Sequence, residues 1–177
     1  MKQYVIIGNG IAAAGCIEGI RNKDKDGKIV VVSKENHPVY CRPLISYYLE
    51  GKTDLERIGY RSERFYTENG CEVIYGETAV KIDYEKKSVV LSDESAIPFS
   101  SLCVASGSTP FIPPFDGLDT VKKRFFFMTL DDTLALEKAI TNESNVLIIG
   151  AGLIGLKCAE GLYNRVKSIT ICDLSEK

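Results

Sequence analysis

The sequence has no tryptophan, a single histidine and no closely spaced cysteines among its 177 residues. His37 has no acidic or nucleophilic partner at a recognisable spacing, so we expect a surface loop residue and no catalytic triad. Of the six cysteines, Cys158 and Cys172 are the closest pair, and their separation excludes a Cys-x-x-Cys redox motif and a zinc knuckle. The sequence therefore predicts no catalytic side chain and no metal site.

Long apolar runs and a strong charge of either sign are also missing. The net charge is −2, with 45% hydrophobic and 26% charged residues, a balance typical of a soluble globular enzyme. The apolar runs are far shorter than the roughly 18 residues that a membrane helix needs. We expect no nucleic-acid or membrane partner. Because the chain enters a predicted strand at residue 3, we expect no secretory signal and a cytoplasmic location.

Two glycine-rich motifs of the same kind are present. Each follows a short apolar run, at residues 4–7 and 146–149, and each precedes a helix-like stretch. At such a strand-to-helix turn, a dinucleotide pyrophosphate can approach the backbone and meet free N–H groups. A single motif of this kind also occurs in turns that bind no ligand, whereas two in the same strand-to-helix context are a far more specific indication of dinucleotide binding. The first glycine motif comprises Gly8, Asn9, Gly10, Ile11, Ala12 and Ala13, and the second comprises Gly150, Ala151, Gly152, Leu153, Ile154 and Gly155.

Each position of these motifs has its own role. The first glycine permits the tight turn, and the second lacks the Cβ that would block the phosphates. The third small residue lets the helix lie close to its strand, with Ala13 replacing glycine in the first glycine motif.

An acidic residue about 20 positions after such a motif binds ribose hydroxyls. Asp173 ends the predicted strand 168–172 and would favour NADH over NADPH by repelling a 2′-phosphate; a solvated strand-end carboxylate is the alternative. After strand 28–33, Lys34 and Glu35 occupy this place, and Glu35 is the better chemical candidate. Two such units in one chain predict a flavin bound by the first and a nicotinamide brought by the second.

The residues between the motifs resemble FAD-dependent pyridine nucleotide oxidoreductases. Residues 40–46, Tyr-Cys-Arg-Pro-Leu-Ile-Ser, resemble the family's Tyr-x-Arg-Pro-x-x-Ser segment. Residues 105–110 resemble its Ala-Thr-Gly-x-x-Pro stretch, with Ser106 in place of threonine. With the two glycine motifs, the resemblance covers nearly the whole chain. It is greatest to rubredoxin reductases, NADH oxidases and the flavin part of nitrite reductase large subunits.

The resemblance implies an enzyme that oxidises NADH, passes hydride to FAD and delivers electrons to a small redox protein, oxygen or another acceptor. It places Arg42 and Pro43 along the FAD pyrophosphate and flavin, although a surface arginine before a proline turn is the alternative. It also places Ala79 and Val80 near the adenine, and it has the cofactor lined by Ala105, Ser106 and Gly107.

Two further positions are ambiguous. Cys41 lies beside the expected flavin region, but an inert, partly buried thiol is the default, and a dithiol mechanism is disfavoured. Lys157 replaces a glutamate that many relatives carry near the flavin. It would either favour reduced, anionic flavin or be a solvated helical lysine. Most of the other cysteines are expected in the core.

The predicted fold class is α/β: a Rossmann-like FAD/NAD(P)-binding parallel sheet with a small antiparallel β-meander, plus the first βαβ unit of a second, incomplete dinucleotide-binding domain. The predicted domains are an FAD-binding portion at 1–112, a linker and helix at 113–144, and the start of an NAD(H)-binding domain at 145–177. Predicted strands cover 3–8, 28–33, 71–75, 78–83, 87–91, 95–99 and 101–105, and predicted helices cover 11–22, 43–50, 61–69 and 131–141.

We expect the phenylalanines at 125–127 to be buried. The chain is expected to be the N-terminal piece of a longer enzyme and inactive alone. The alternatives are a non-catalytic module that binds FAD or ADP and pairs with a second copy through an exposed strand edge, or the flavin part of a nitrite reductase.

Overall fold

The structure is a computed structural model that describes residues 1–114 and 116–175. The chain divides into two compact units, Met1–Tyr40 with Gly59–Ser108, and Cys41–Ile58 with Thr109–Lys177. Residues 41–58, which the sequence-based division places in the first domain, group with the second unit. None of the helices in the described part of the chain has both the length and the apolar character of a membrane-spanning segment.

The order of strands and helices is the one that the sequence predicts. In chain order they are β1 (Gln3–Ile7), α1 (Ile11–Lys23), β2 (Lys28–Ser33), a 3₁₀ turn (Arg42–Leu44), α2 (Ile45–Glu50), α3 (Phe65–Glu68), β3 (Cys71–Tyr75), β4 (Ala79–Asp83), β5 (Ser88–Leu91), β6 (Ala96–Pro98), β7 (Ser101–Val104), a second 3₁₀ turn (Leu118–Thr120), α4 (Leu130–Ala139), β8 (Asn145–Ile149), α5 (Leu153–Leu162) and β9 (Ser168–Cys172).

The first unit contains a parallel sheet with strand order β3-β2-β1-β7 and an antiparallel meander β4-β5-β6. Ile6 and Val31, which pair in the β1–β2 register, face a core formed with α1 and Phe65. Val30 and Val32 face the opposite side, where Val89 and Leu91 of the meander cover them. A strand buried on both faces needs an almost continuous apolar run, which is what β2 has. The predicted fold class is confirmed.

In the second unit, α2, α4 and α5 share a core with one face of a parallel pair, β8 and β9. Its core contains Leu49, Leu136, Ile148, Cys158 and Leu162. Gly161 allows the close packing of α2 on α5, because a Cβ there would lie 3.1 Å from the Cβ of Leu49. The Arg165 guanidinium donates to the Leu49 carbonyl at 2.6 Å and to Glu137 at 2.9 Å, so hydrogen bonds reinforce this packing.

Two expectations about local structure were wrong. Phe125 and Phe126 are 40% and 44% exposed, and only Phe127 packs on the core of the second unit. Of the cysteines expected in the core, Cys158 is buried and Cys16 and Cys103 pack against the core of the first unit, so the expectation for most of them is confirmed, although Cys172 is exposed. The predicted helix 61–69 is reduced to α3. Before α3, the chain forms turns in which Arg61 binds Glu18 at 2.8 Å.

Candidate dinucleotide-binding sites

The first glycine of the first glycine motif lies in a turn that only glycine fits. Gly8 has φ +103°, and a Cβ on it would collide with the carbonyl oxygen of Ala105. Its N–H donates to the Val32 carbonyl at 2.8 Å, and the Ala105 N–H donates to Ile7 at 2.7 Å. The predicted residues Gly8 and Ala105 therefore meet where β1, β2 and β7 end, the edge at which open α/β sheets bind ligands.

The second glycine of the first motif borders open space. Gly10 is the N-cap of α1, and a Cβ on it would meet no atom within 4 Å. No side chain caps the helix, and its first turn has no acidic residue. The N–H groups of Ile11, Ala12 and Ala13 have no intrahelical partner at a helix start, so they can bind an anion. Ala13 itself is fully buried against the core.

The predicted ribose-binding residues follow β2. The Glu35 carboxylate accepts a hydrogen bond from the Tyr40 hydroxyl at 2.6 Å, which fixes its direction, whereas Lys34 is exposed. The Glu77 N–H donates to the Ser33 carbonyl at 3.1 Å and so ties the segment before β4 to the end of β2. The predicted adenine neighbours Ala79 and Val80 begin β4 at a register irregularity, and Ser106 and Gly107 lie exposed after β7.

The second glycine motif has the same strand-to-helix geometry, but its closest backbone contact is at the third glycine and not at the first. Gly150 has φ +109° but no atom near its Cβ position, whereas a Cβ on Gly155 would collide with the Gly150 carbonyl oxygen. Gly152 is the N-cap of α5, again with no side-chain cap and open space around its Cβ position. Leu153 and Ile154, at the start of α5, are exposed.

Asp173 adjoins the second glycine motif. Its carboxylate accepts hydrogen bonds from the N–H of Ala151 at 2.7 Å and from that of Ser175 at 2.8 Å. These bonds, that of Ser175 first, lower the pKa of the Asp173 carboxyl below its ordinary value. The structure therefore places a carboxylate beside the second glycine turn, where the sequence predicts a ribose ligand.

Arg42, Pro43, Cys41 and Lys157 all fall in the second unit. Arg42 and Pro43 begin the 3₁₀ turn that leads into α2, and Cys41 is partly buried before it. The Lys157 ammonium pairs with Glu160 and lies 5.2 Å from the centre of the Tyr47 ring. The ion pair with Glu160 raises the pKa of Lys157. Lys157 is thus paired, not merely solvated. A role of Lys157 or Cys41 toward a flavin stays a prediction.

Comparison with known proteins decides the family. The family model described as pyridine nucleotide-disulphide oxidoreductase matches residues 2–177. The chain belongs to this family. The resemblance read from the sequence is therefore confirmed.

Several known proteins are similar to this chain over almost its whole length. The epsilon subunit of NADH-dependent phenylglyoxylate dehydrogenase from Aromatoleum evansii is 34% identical, across 99% of this chain and 41% of that subunit. The NAD(P)H nitrite reductase of Bacillus subtilis (strain 168) is 35% identical, across 98% of this chain and 22% of that enzyme. The crystal structure of NADH:rubredoxin oxidoreductase from Clostridium acetobutylicum has a TM-score of 0.81 at 25% identity, across 96% and 44%. The chain spans less than half the length of each.

Both glycine turns of this family member fit a dinucleotide pyrophosphate. Each places a helix start without a side-chain cap beside a glycine whose Cβ position is open. A bound phosphate would use that space and the free N–H groups behind it. Among the described residues, no cluster of side chains could hold a metal ion. The contacts of individual residues with a cofactor stay predictions.

The sequence reasoning missed two tyrosines at the first site. Tyr40 holds the Glu35 carboxylate, and Tyr66 donates to the Asn9 side chain at 2.7 Å. The sequence pointed to Tyr40 only as the first residue of the Tyr-x-Arg-Pro-x-x-Ser segment. No spacing in the sequence points to Tyr66, because its partner Asn9 belongs to a motif far earlier in the chain.

Asp173→Asn is expected to change how the stability of the second unit depends on pH. The carboxyl has its ordinary pKa of about 4 in the unfolded chain and a lower pKa when folded. The carboxylate therefore stabilises the fold above the unfolded pKa, and this contribution is lost as the pH falls through the folded pKa.

Urea unfolding from neutral to acid pH, followed by circular dichroism, measures this effect. The stability difference between the parent chain and Asp173→Asn should shrink as the pH falls below the unfolded pKa. Asp119→Asn, which alters an exposed aspartate of the same unit, is the control for loss of a surface charge. A pH-independent difference for Asp173→Asn would show that its two backbone bonds do not favour the charged form.

Proposed function

We propose that the chain is part of a flavoprotein oxidoreductase that passes hydride from NAD(P)H, with NADH favoured, to FAD. The electrons then go to a small redox protein, oxygen or another acceptor. One observation carries the proposal: both glycine motifs leave open space at an uncapped helix start. Hydride transfer between cofactors needs no protein nucleophile. This agrees with the expectation of no catalytic side chain.

In this proposal, the chain's own residues bind the two cofactors and orient them. In the first unit, the N–H groups at the start of α1 bind the FAD pyrophosphate, and Glu35, oriented by Tyr40, binds ribose hydroxyls. In the second unit, the start of α5 binds the NAD(P)H pyrophosphate, and Asp173 disfavours a 2′-phosphate. FAD and nicotinamide, when bound, supply the hydride chemistry. The domain division predicted from the sequence and a cytoplasmic location stay predictions.

Cofactor retention tests this function. The purified chain is mixed with FAD, desalted and examined by visible absorption, and NADH and NADPH are then titrated calorimetrically. We expect a retained flavin band and tighter binding of NADH than of NADPH. A chain that retains no flavin and binds neither nicotinamide dinucleotide would refute the proposal. Bleaching of the flavin band by NADH would add that hydride transfer occurs within these residues.

The second candidate is a module that binds FAD or ADP and associates with itself without hydride transfer. Leu147 and Ile149 of β8 are 59% and 50% exposed, and among the described strands β8 and β9 pair only with each other. An uncovered apolar face of this kind favours association. Solution mass by light scattering separates the candidates. A dimer that retains FAD but is not bleached by NADH would favour the module.

A further inference from the structure

Tyr66 connects two parts of the first unit that are far apart in sequence. Its hydroxyl accepts a hydrogen bond from the N–H of Val39 at 3.0 Å and donates one to Asn9 Oδ1 at 2.7 Å. The other end of the same amide, Asn9 Nδ2, donates to the His37 carbonyl at 3.2 Å. These four residues form what we call the Tyr66 network.

The Tyr66 network ties the first glycine motif to the loop that follows β2. Asn9 lies between the two glycines of the turn, and residues 37–39 continue the loop that carries Glu35. Within that loop the Tyr40 hydroxyl holds the Glu35 carboxylate at 2.6 Å. The Asn9 side chain and the Tyr66 hydroxyl therefore hold the first glycine motif against the loop that carries Glu35.

Packing holds the Tyr66 hydroxyl in place. The Tyr66 ring meets the Phe65 ring edge-on, with centroids 5.3 Å apart, and packs against the core that includes Val39 and Phe65. Burial raises the pKa of Tyr66, so the hydroxyl keeps its proton and remains a donor to Asn9. Both ends of the Asn9 amide are engaged with protein. The side chain of Asn9 thus fixes the turn and leaves the binding of phosphate to backbone N–H groups.

We propose that Tyr66 is a positioning residue for the adenosine-diphosphate part of the dinucleotide that binds to the first unit. Its hydroxyl holds Asn9 and Val39 in the one arrangement in which the glycine turn and the Glu35 loop bind the same ligand together. A ligand then orders less of the protein when it binds, and such preorganisation increases affinity. The inference rests on the proposed function, because it assigns a role within that binding site.

Tyr66→Phe tests this role. The substitution keeps the ring and its packing but removes the hydroxyl, so the N–H of Val39 and the oxygen of Asn9 lose their common partner. We expect the affinities for FAD and for free ADP to fall by the same factor, about tenfold, which corresponds to about 1.4 kcal/mol. Calorimetric titrations are made at a temperature where circular dichroism shows each variant fully folded. Tyr60→Phe, on the same segment but outside the Tyr66 network, should bind both ligands as the parent chain does.

A double-mutant cycle distinguishes positioning from a general loss of stability. Asn9→Ala should itself weaken FAD binding about tenfold, and adding Tyr66→Phe should weaken it little further, whereas independent effects would multiply to about a hundredfold. Unchanged FAD and ADP affinities in Tyr66→Phe, or multiplying effects in the double variant, would overturn the inference while leaving the proposed function intact. If the parent chain binds neither FAD nor ADP, the proposed function fails and the inference fails with it.

Discussion

Gly8→Ala is expected to unfold the first unit under conditions in which the parent chain is stable. The residue has φ +103°, which costs an alanine roughly 1–2 kcal/mol. The new methyl group would also collide with the Ala105 carbonyl oxygen, and the hydrogen bond from the Ala105 N–H to Ile7 holds that carbonyl in the sheet. Overpacking against backbone adds about 1–3 kcal/mol. We expect the free energy of unfolding to fall by about 3 kcal/mol or more.

Denaturant unfolding followed by far-ultraviolet circular dichroism measures this loss, since the chain has no tryptophan to serve as a fluorescent probe. Gly107→Ala is the matched control. Gly107 lies in the same unit with φ +71°, but its Cβ position is open. It should lose only the conformational cost of about 1–2 kcal/mol. Equal losses for the two variants would mean that the contact between Gly8 and Ala105 contributes nothing.

Gly10→Val is expected to have the opposite effect: an intact fold and much weaker binding of FAD. Gly10 has φ −95° and ψ −169°, an extended geometry that a β-branched residue adopts, and its Cβ position is open. The valine side chain would occupy the space through which a pyrophosphate reaches the start of α1. We expect FAD affinity to fall at least about a hundredfold, or about 2.7 kcal/mol. The denaturation midpoint should change little.

Two variants act as controls for Gly10→Val, with affinities measured by calorimetry. Gly19→Val adds the same side chain to an exposed, open position on α1 and should bind FAD normally. Gly152→Val repeats the change at the start of α5 and should lose NADH while keeping FAD. If Gly10→Val still retained FAD after desalting, the first glycine motif would not be the site of the flavin pyrophosphate.

Local sequence patterns were sufficient to predict the sheet and both glycine turns. Residues 4–7 and 28–33 were predicted to be buried parallel strands because their β-branched runs are apolar on both faces. In the structure, β1 and β2 pair in parallel. The position of Asp173 beside the second glycine motif was predicted because a carboxylate about 20 residues after such a motif has a chemical reason to be there, and its binding of ribose stays a prediction. Such signals are short in range, and each lies within one element or within one strand–helix–strand unit.

Features that depend on long-range packing could not be predicted. The hydrogen bond from the Tyr66 hydroxyl to Asn9 forms only when α3 folds beside the first glycine motif. Phe125 and Phe126 have the composition of a core segment but no regular element to place them in one. The grouping of residues 41–58 with the second unit depends on Leu49, whose core neighbours are encoded far downstream.

That grouping has a consequence for the order in which the protein is made. Leu49 is fully buried among Leu136, Cys158 and Leu162, all of which leave the ribosome later. At about 5–20 residues per second, the wait from Leu49 to Leu162 is on the order of 10 s. A helix as short as α2 is not stable by itself in water. We therefore expect residues 41–58 to stay unfolded, and accessible to chaperones and proteases, until the later residues of their core have been synthesised.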